Sequence, residues 1–584
     1  MPGRTPASAR ALVLALAAVA AAGGRARAQS VLGPFEDATP APRGMLRFGA
    51  VAAFTHYSER FGPDGTVGPY YGLLNADTLG VRQLPQLASV QEDVRTLAAS
   101  PKLSLTLGPL AVRSRTRVVT LPLQVEMGLT SRLSVGVTAP YVRSYNTVVA
   151  ELGSDPGAGN IGINPALDPG QDGDAARDAN EGVYQDLEDA RAQLAALLAA
   201  CSANPSGAGC AAINADPAAA QALVNESAAF AAALARVYGL TSGARSPFVP
   251  SLGSVAAQAV SARLVGFDSL YRAFLGRSTS VIGGRPVSAL PPAQGTLQQA
   301  LGDTAVGIVS GPLDATRRSH FGDIEVGAKL LLLDSFGGSA ARRIAPRPGS
   351  LNYRLAVGAL VRLGTGQADD PNDPTDVPTG GGQTDVGVRA IADVLVGSRA
   401  WASVVARYER QLPDEPTVRV AAQELFVFAP LYSRQLVSRD LGDVFALEVT
   451  PRLVATQNLA LAAHYEYTEK ASDVYTGTFT VDSATTGFGA LELDAAVLGE
   501  NTAERVQRWG LGATYSTLAD YYRGRTRLPL EVSYLHRRTA AATRGWVPRT
   551  ATDELTVRLY FRLFGPRPPR ASGPARPRAV PPSR

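Results

Sequence analysis

The chain has 584 residues, 45% of them hydrophobic and 18% charged, with 58 Gly, 41 Pro and two Cys. That apolar content excludes disorder throughout, and two cysteines exclude a disulfide-dense scaffold. A net charge of +5 gives no reason to invoke nucleic acid, and Lys102, Lys329 and Lys470 are the only lysines among the 56 basic residues. The mean hydropathy is +0.01, yet no long apolar run follows the first residues.

Residues 1–28 read as a cleaved export signal. Arg4 and Arg10 form a basic start, Ala11 to Ala22 is a small-apolar stretch, and Ala26-Arg27-Ala28 places a cleavage site before Gln29. The apolar run is about 12 residues against the ~20 of a spanning helix. The mature chain is expected outside the cytoplasm of a diderm bacterium.

Residues 29–147 then carry the first barrel strands and an outer loop. Segments 44–57, 115–129 and 133–146 alternate with period two. In Leu133 to Tyr141, the residues Leu133, Val135, Val137, Ala139 and Tyr141 alternate with Ser134, Gly136, Thr138 and Pro140. Alternate side chains of a strand point to opposite faces, so each segment separates an apolar side from a wetter one.

Residues 148–320 do not alternate. Val183, Leu187, Ala190 and Leu194 follow helical spacing, as do Leu223, Phe230, Leu234 and Val237, and again Val260, Leu264, Phe267 and Tyr271. Three amphipathic helices are expected to pack as an inserted subdomain, projecting outside or folding back as a plug. Cys201 and Cys210 bracket a tight Pro- and Gly-containing loop, which in an oxidising compartment reads as a disulfide.

Residues 321–564 return to alternation at 321–334, 351–364, 384–396, 400–412, 443–455, 459–470, 503–516, 528–538 and 553–564, which brings the count to twelve. Short links at 130–132, 397–399 and 456–458 all fall on one side, the periplasmic side of an outer-membrane barrel. Residues 59–110 and 413–442 can each hide another pair, which leaves fourteen strands as the competitor. The tail 565–584, rich in Pro and Arg, reads as disordered. The aromatic residues before it are the expected signal for the barrel assembly machinery.

Segments of ~10 residues suit a membrane crossing better than a soluble sandwich. The inward register carries charge that no soluble core tolerates. The expected fold is therefore an all-β transmembrane antiparallel β-barrel with an inserted α-helical subdomain, surrounded by outer-membrane lipids. Its expected lumen-lining residues are Glu126, Asp323, Glu325, Lys329, Arg354, Arg362, Arg389, Asp393, Arg407, Glu409, Glu448, His464, Glu466 and Arg558.

Three runs resemble a known family. LPLQVEMGLTSRLSVGVTAPYV (121–142), FGDIEVGAKLLL (321–332) and YRLAVGALVRLGTGQADD (353–370) are similar to outer-membrane proteins of the MetA-pathway phenol-degradation family. The resemblance implies a barrel that passes hydrophobic or aromatic small molecules.

Candidate chemistry is sparse. His464 with Glu466 on the same face is the best site for a barrel hydrolase, although a lone lumen histidine in a polar lattice is more often structural. The acidic loop 369–376 offers Asp369, Asp370, Asp373 and Asp376 to calcium, but its prolines spoil the usual ligand spacing and a solvated loop explains it equally well. No cofactor motif is present. The sequence thus favours a non-enzymatic, narrow or gated channel for a small solute. The alternative is a surface structural or adhesion barrel that displays the insertion, with a hydrolase as the remote third.

Overall fold

A computed structural model describes residues 36–153, 159–240, 246–304, 306–335, 351–397, 399–421, 428–486 and 489–564. The expected export signal, residues 1–28, and the Pro/Arg-rich tail lie outside them. Twelve antiparallel strands form the wall: β1 Met45–Tyr57, β2 Leu110–Gly128, β3 Leu133–Leu152, β4 Ile324–Asp334, β5 Leu351–Leu363, β6 Asp385–Val396, β7 Ala400–Gln411, β8 Val444–Val454, β9 Leu459–Lys470, β10 Glu504–Ser516, β11 Leu530–Thr543 and β12 Ala551–Arg562. Strand β1 pairs with β12 on one side and β2 on the other, so the sheet closes and leaves no edge. Closure satisfies every strand within the sheet, which lipid demands because it offers no hydrogen bonds. A short strand, Thr316–Phe321, precedes β4 and also pairs with β3.

The two faces of the wall are inverted relative to a soluble protein. Leu123, Val125, Val137, Val388 and Leu555 point outward and are exposed, whereas Lys329, Arg354, Arg389, Asp393 and His464 are buried inside. Water cannot be the outer solvent of so continuous an apolar belt. The barrel spans a membrane.

The fourteen-strand alternative fails. Residues 87–98 form a helix, α1 Leu87–Ala98, with Leu87, Val90, Val94 and Leu97 buried at helical spacing. Residues 103–108 hold only an isolated bridge, Gly80 to Thr106. In the other candidate segment, Thr417–Arg419 pairs with Arg434–Leu436 in a separate two-stranded sheet, and residues 422–427 lie outside those described.

The insertion contains α2 Gln171–Ala203, α3 Cys210–Ala215, α4 Pro217–Tyr238, α5 Val255–Leu275 and α6 Gln294–Gly302. Asp216 caps α4 by accepting from the Ala219 N–H at 2.9 Å, and Ser254 caps α5 by accepting from Ala257 at 3.1 Å. The apolar stripes of α2, α4 and α5 meet at Leu187, Phe230, Leu234, Phe267 and Tyr271. They share one core with α1 and with Val112, Val148 and Ala150, where β2 and β3 rise above the rest of the barrel. The subdomain therefore sits at the long-loop end. At the α2–α3 junction Cys201 and Cys210 form a disulfide.

Closing a ten-residue loop by a disulfide corresponds to about 2.5 kcal/mol of chain entropy. Replacing both cysteines by serine should lower the stability of the helical subdomain by that order, with the barrel transition unchanged in two-probe thermal unfolding. Within the wall, Arg362 lies 2.8 Å from Asp385, 3.0 Å from Glu409 and 3.5 Å from Glu325. Arg362→Met strands three carboxylates together and should cost about 3 kcal/mol or more in urea unfolding of the folded barrel.

Candidate functional site

The inner residues of the wall build a lattice of ion pairs, arranged in tiers because inward positions recur every second residue. At the short-turn end Arg47 pairs with Glu126, and Arg558 with Glu531 at 2.7 Å. At mid-height Arg407 meets Glu448 at 2.8 Å, while Glu466 holds Arg508 at 2.6 Å and Arg537 at 2.8 Å. The Arg362 cluster forms the tier nearest the loops.

The lattice alone is cation-rich at its centre, and the chain's own N-terminal segment supplies the missing charge. Residues 36–44 leave the foot of β1 and run into the lumen. Glu36 lies 3.1 Å from Lys329, 3.4 Å from Arg389 and 3.9 Å from Arg407. The Lys329 ammonium also donates to the Asp37 carbonyl at 3.0 Å, and Arg354 donates to Thr39 Oγ1 at 2.7 Å. The Ala38 N–H donates to Asp393 at 3.0 Å, and its methyl fills a socket of Leu331, Ala356, Ile391 and Val405. The Ala41 N–H donates to Glu126 at 3.2 Å.

Two glycines allow this entry. Gly44 takes a φ of +70°, a conformation that strains residues with a Cβ. At Gly128 a Cβ would lie 2.2 Å from the Pro42 carbonyl oxygen, so the segment can pass only because none is there.

Above the segment a cavity of about 690 Å³ opens toward the loops. Arg407, Glu448, His464, Glu466, Arg508 and Arg537 line its deeper part, and Tyr57, Tyr70, Tyr71 and Leu74 line the mouth. The three tyrosines pack in sequence, with ring centres 4.8 and 5.0 Å apart. None of the insertion's described residues lines this cavity. The described residues of the insertion therefore do not plug the lumen; residues 36–41 occupy that place.

Of the fourteen expected lumen residues, all but His464 fall into three groups, and Glu126, Arg354 and Arg407 belong to the first two at once. Glu126, Lys329, Arg354, Arg389 and Asp393 contact the N-terminal segment. Glu325, Arg362, Arg407, Glu409, Glu448, Glu466 and Arg558 belong to wall ion pairs. Asp323 does neither: it lies between Thr316–Phe321 and β4, and accepts from the Gly366 and Gly381 N–H groups at 2.8 Å each, clipping the 364–384 loop.

His464 and Glu466 do not form a dyad. The His464 ring bonds Thr450 Oγ1 at 3.0 Å, and Glu466 is committed to its two arginines. The histidine that does meet a carboxylate is His536, 2.8 Å from Asp553 on the outward face.

In the acidic loop, Asp370 accepts from Asn372 and Asp373 from Thr375, each at 2.9 Å, while Asp376 pairs with Arg318 at 2.7 Å. Burial pushes the Asp376 carboxyl up despite the Asp370 N–H and Arg318 that oppose it. These carboxylates shape turns, and among the described residues no three His, Cys, Asp or Glu side chains converge as a metal site.

Sequence reasoning missed the N-terminal segment, because Glu36 and Asp37 stand in a short irregular stretch with no periodicity to place them. Gly128→Val should dislodge that segment without altering the strand pairing. The expected result is faster cleavage of residues 36–44 by an added protease, with unchanged far-UV circular dichroism.

No family model and no curated protein sequence matches the chain. Among solved structures it is similar to an outer-membrane channel from Pseudomonas putida F1, at 9% identity and a TM-score of 0.38, over 91% of this chain and all of that one. A Pseudomonas aeruginosa FadL homologue matches at 8% identity and 0.24, over 89% of this chain and 91% of that one. The Pseudomonas putida toluene transporter TodX matches at 10% identity and 0.21, over 90% of each chain.

Proposed function

We propose that the protein is an outer-membrane channel for small solutes, closed toward the periplasm by its own N-terminal segment. The observation that carries this reading is the cavity open at the long-loop end and met from below by residues 36–41. By the usual orientation of such barrels, the long loops face outward and the short turns inward. A solute enters past the packed tyrosines and descends to the ionic floor.

The mouth suits an aromatic ring, in keeping with the family resemblance of residues 121–142, 321–332 and 353–370. The floor does not suit a wholly apolar molecule, because it would displace water from charged groups and return no hydrogen bonds. An amphipathic aromatic solute satisfies both. The hydrolase reading loses its best site, since His464 and Glu466 are engaged elsewhere. Exposed Phe561 and Phe564 at the end of β12 fit recognition by the barrel assembly machinery.

Planar-bilayer conductance tests the channel and its gate together. The full mature chain should be closed or flicker briefly, whereas a chain lacking residues 29–41 should conduct steadily. Glu36→Gln, which leaves Lys329, Arg389 and Arg407 without their shared anion, should raise the open fraction severalfold. If the deletion variant neither conducts nor swells liposomes in small amphipathic solutes, the channel reading fails and the display of the helical subdomain becomes the better account. That subdomain's absence from the cavity lining is what favours the second reading.

A further inference from the structure

Most outward-facing polar groups near the loop end of the wall have partners on the protein. Tyr534 and His536 share Asp553, Tyr408 donates to Asp443, and Arg544 lies 3.7 Å from Glu469. One arc differs. On the outward register of β2, β3 and Thr316–Phe321 stand Arg117, Arg143 and Arg317, all exposed. Arg113 above them pairs with Glu151, but these three, like Arg115 on the same face of β2, hold no ion pair among the described residues.

Strand register makes them one cluster. Arg117 lies directly opposite Tyr145, and Tyr145 directly opposite Arg317. Directly opposed residues have Cβ atoms ~5 Å apart, so the two arginines flank the tyrosine at about 10 Å from each other. Arg143 precedes Tyr145 by two residues on the same face of β3.

Height along the wall identifies what faces this cluster. Met127, Val125, Leu123, Leu121 and Val119 occupy the outward positions of β2 up from the short turn. Eight residues at ~3.3 Å each, tilted by ~40°, rise about 20 Å, which with side-chain thickness matches the ~25 Å apolar band of such barrels. Arg117 is the first outward residue above that band. Arg117 and Arg317 stand at headgroup level and Arg143, opposite Val119, at the upper edge of the band, over an acyl-facing wall of exposed Leu121, Leu123 and Val137 and the edge-packed pair Tyr141–Phe321.

We propose that Arg117, Arg143 and Arg317, grouped around Tyr145, bind the phosphate of a phosphorylated membrane lipid in the leaflet at the long-loop end. Guanidinium groups match phosphate oxygens in planar, charge-assisted pairs, and the apolar surface below receives the acyl chains. No carboxylate in the cluster repels the anion. The lipid seals the β2–β3–β4 arc, where the wall rises into the helical subdomain.

The full chain, purified in neutral detergent, can be titrated with dioleoylphosphatidylglycerol while bound lipid is counted by native mass spectrometry. One arginine near an anionic headgroup is worth about fivefold, so Arg117→Gln/Arg143→Gln/Arg317→Gln should bind on the order of a hundredfold more weakly. The corresponding triple lysine variant should recover most of the affinity, and Arg410→Gln, an exposed arginine on β7, should bind as the parent does. Equal binding by the glutamine variant would overturn the proposal. So would equal binding of dioleoylphosphatidylcholine, or full competition by millimolar inorganic phosphate, which would mark an adventitious anion site without lipid specificity. All substitutions are at exposed outward positions, and heat-modifiable migration on gels confirms that each barrel is folded.

Discussion

A closed sheet in lipid must place its polar side chains somewhere, and the only place is the lumen. There each charge needs a partner, because an isolated ion in a confined space costs several kcal/mol. The wall of this barrel meets that demand in tiers, with one exception at its centre. Lys329, Arg389 and Arg407 share too little negative charge from the strands. Glu36, carried in from outside the wall, lies within ion-pair range of all three. The fold of the lumen and the path of the N-terminal segment are thus one electrostatic problem with one solution.

That solution shapes the proposed activity. A segment anchored by ion pairs and a single methyl group in a small socket is held firmly but not irreversibly. Its backbone bridges to the sheet only at the foot, where Arg43 and Gly44 meet Gly128, so residues 36–41 can leave the lumen without breaking the wall. A segment woven into the strands could not act as a gate, and a segment with large apolar anchors would not leave. The helical subdomain stands apart from this arrangement. Its core is continuous with the raised β2–β3 hairpin and with α1, not with the lumen.

Much of the wall was legible because strand geometry writes itself into sequence at every second residue. The segments expected at 351–364, 400–412 and 459–470 differ from the observed Leu351–Leu363, Ala400–Gln411 and Leu459–Lys470 by one residue at most. The three main helices were legible for the same reason at a different period. Helix α1 carries the same signal in Leu87, Val90, Val94 and Leu97, in a stretch whose residues 103–108 also alternate like a short strand. Partners on neighbouring strands were less accessible. His464 and Glu466 share a face in sequence, yet Arg508 and Arg537, more than 40 residues away, decide what Glu466 binds.

The sequence by itself determined the twelve-stranded alternation, the charged inner face and the helical nature of the insertion. Each follows from local periodicity, which needs no knowledge of distant residues. The tertiary structure alone decided what closes the lumen, because Glu36 and Asp37 look like ordinary solvent-exposed acids until the barrel surrounds them with cations. It also decided that the described residues of the insertion stay outside the cavity and that three arginines on separate segments form one cluster. Those outcomes depend on closure and register, which bring together residues that no sequence period connects.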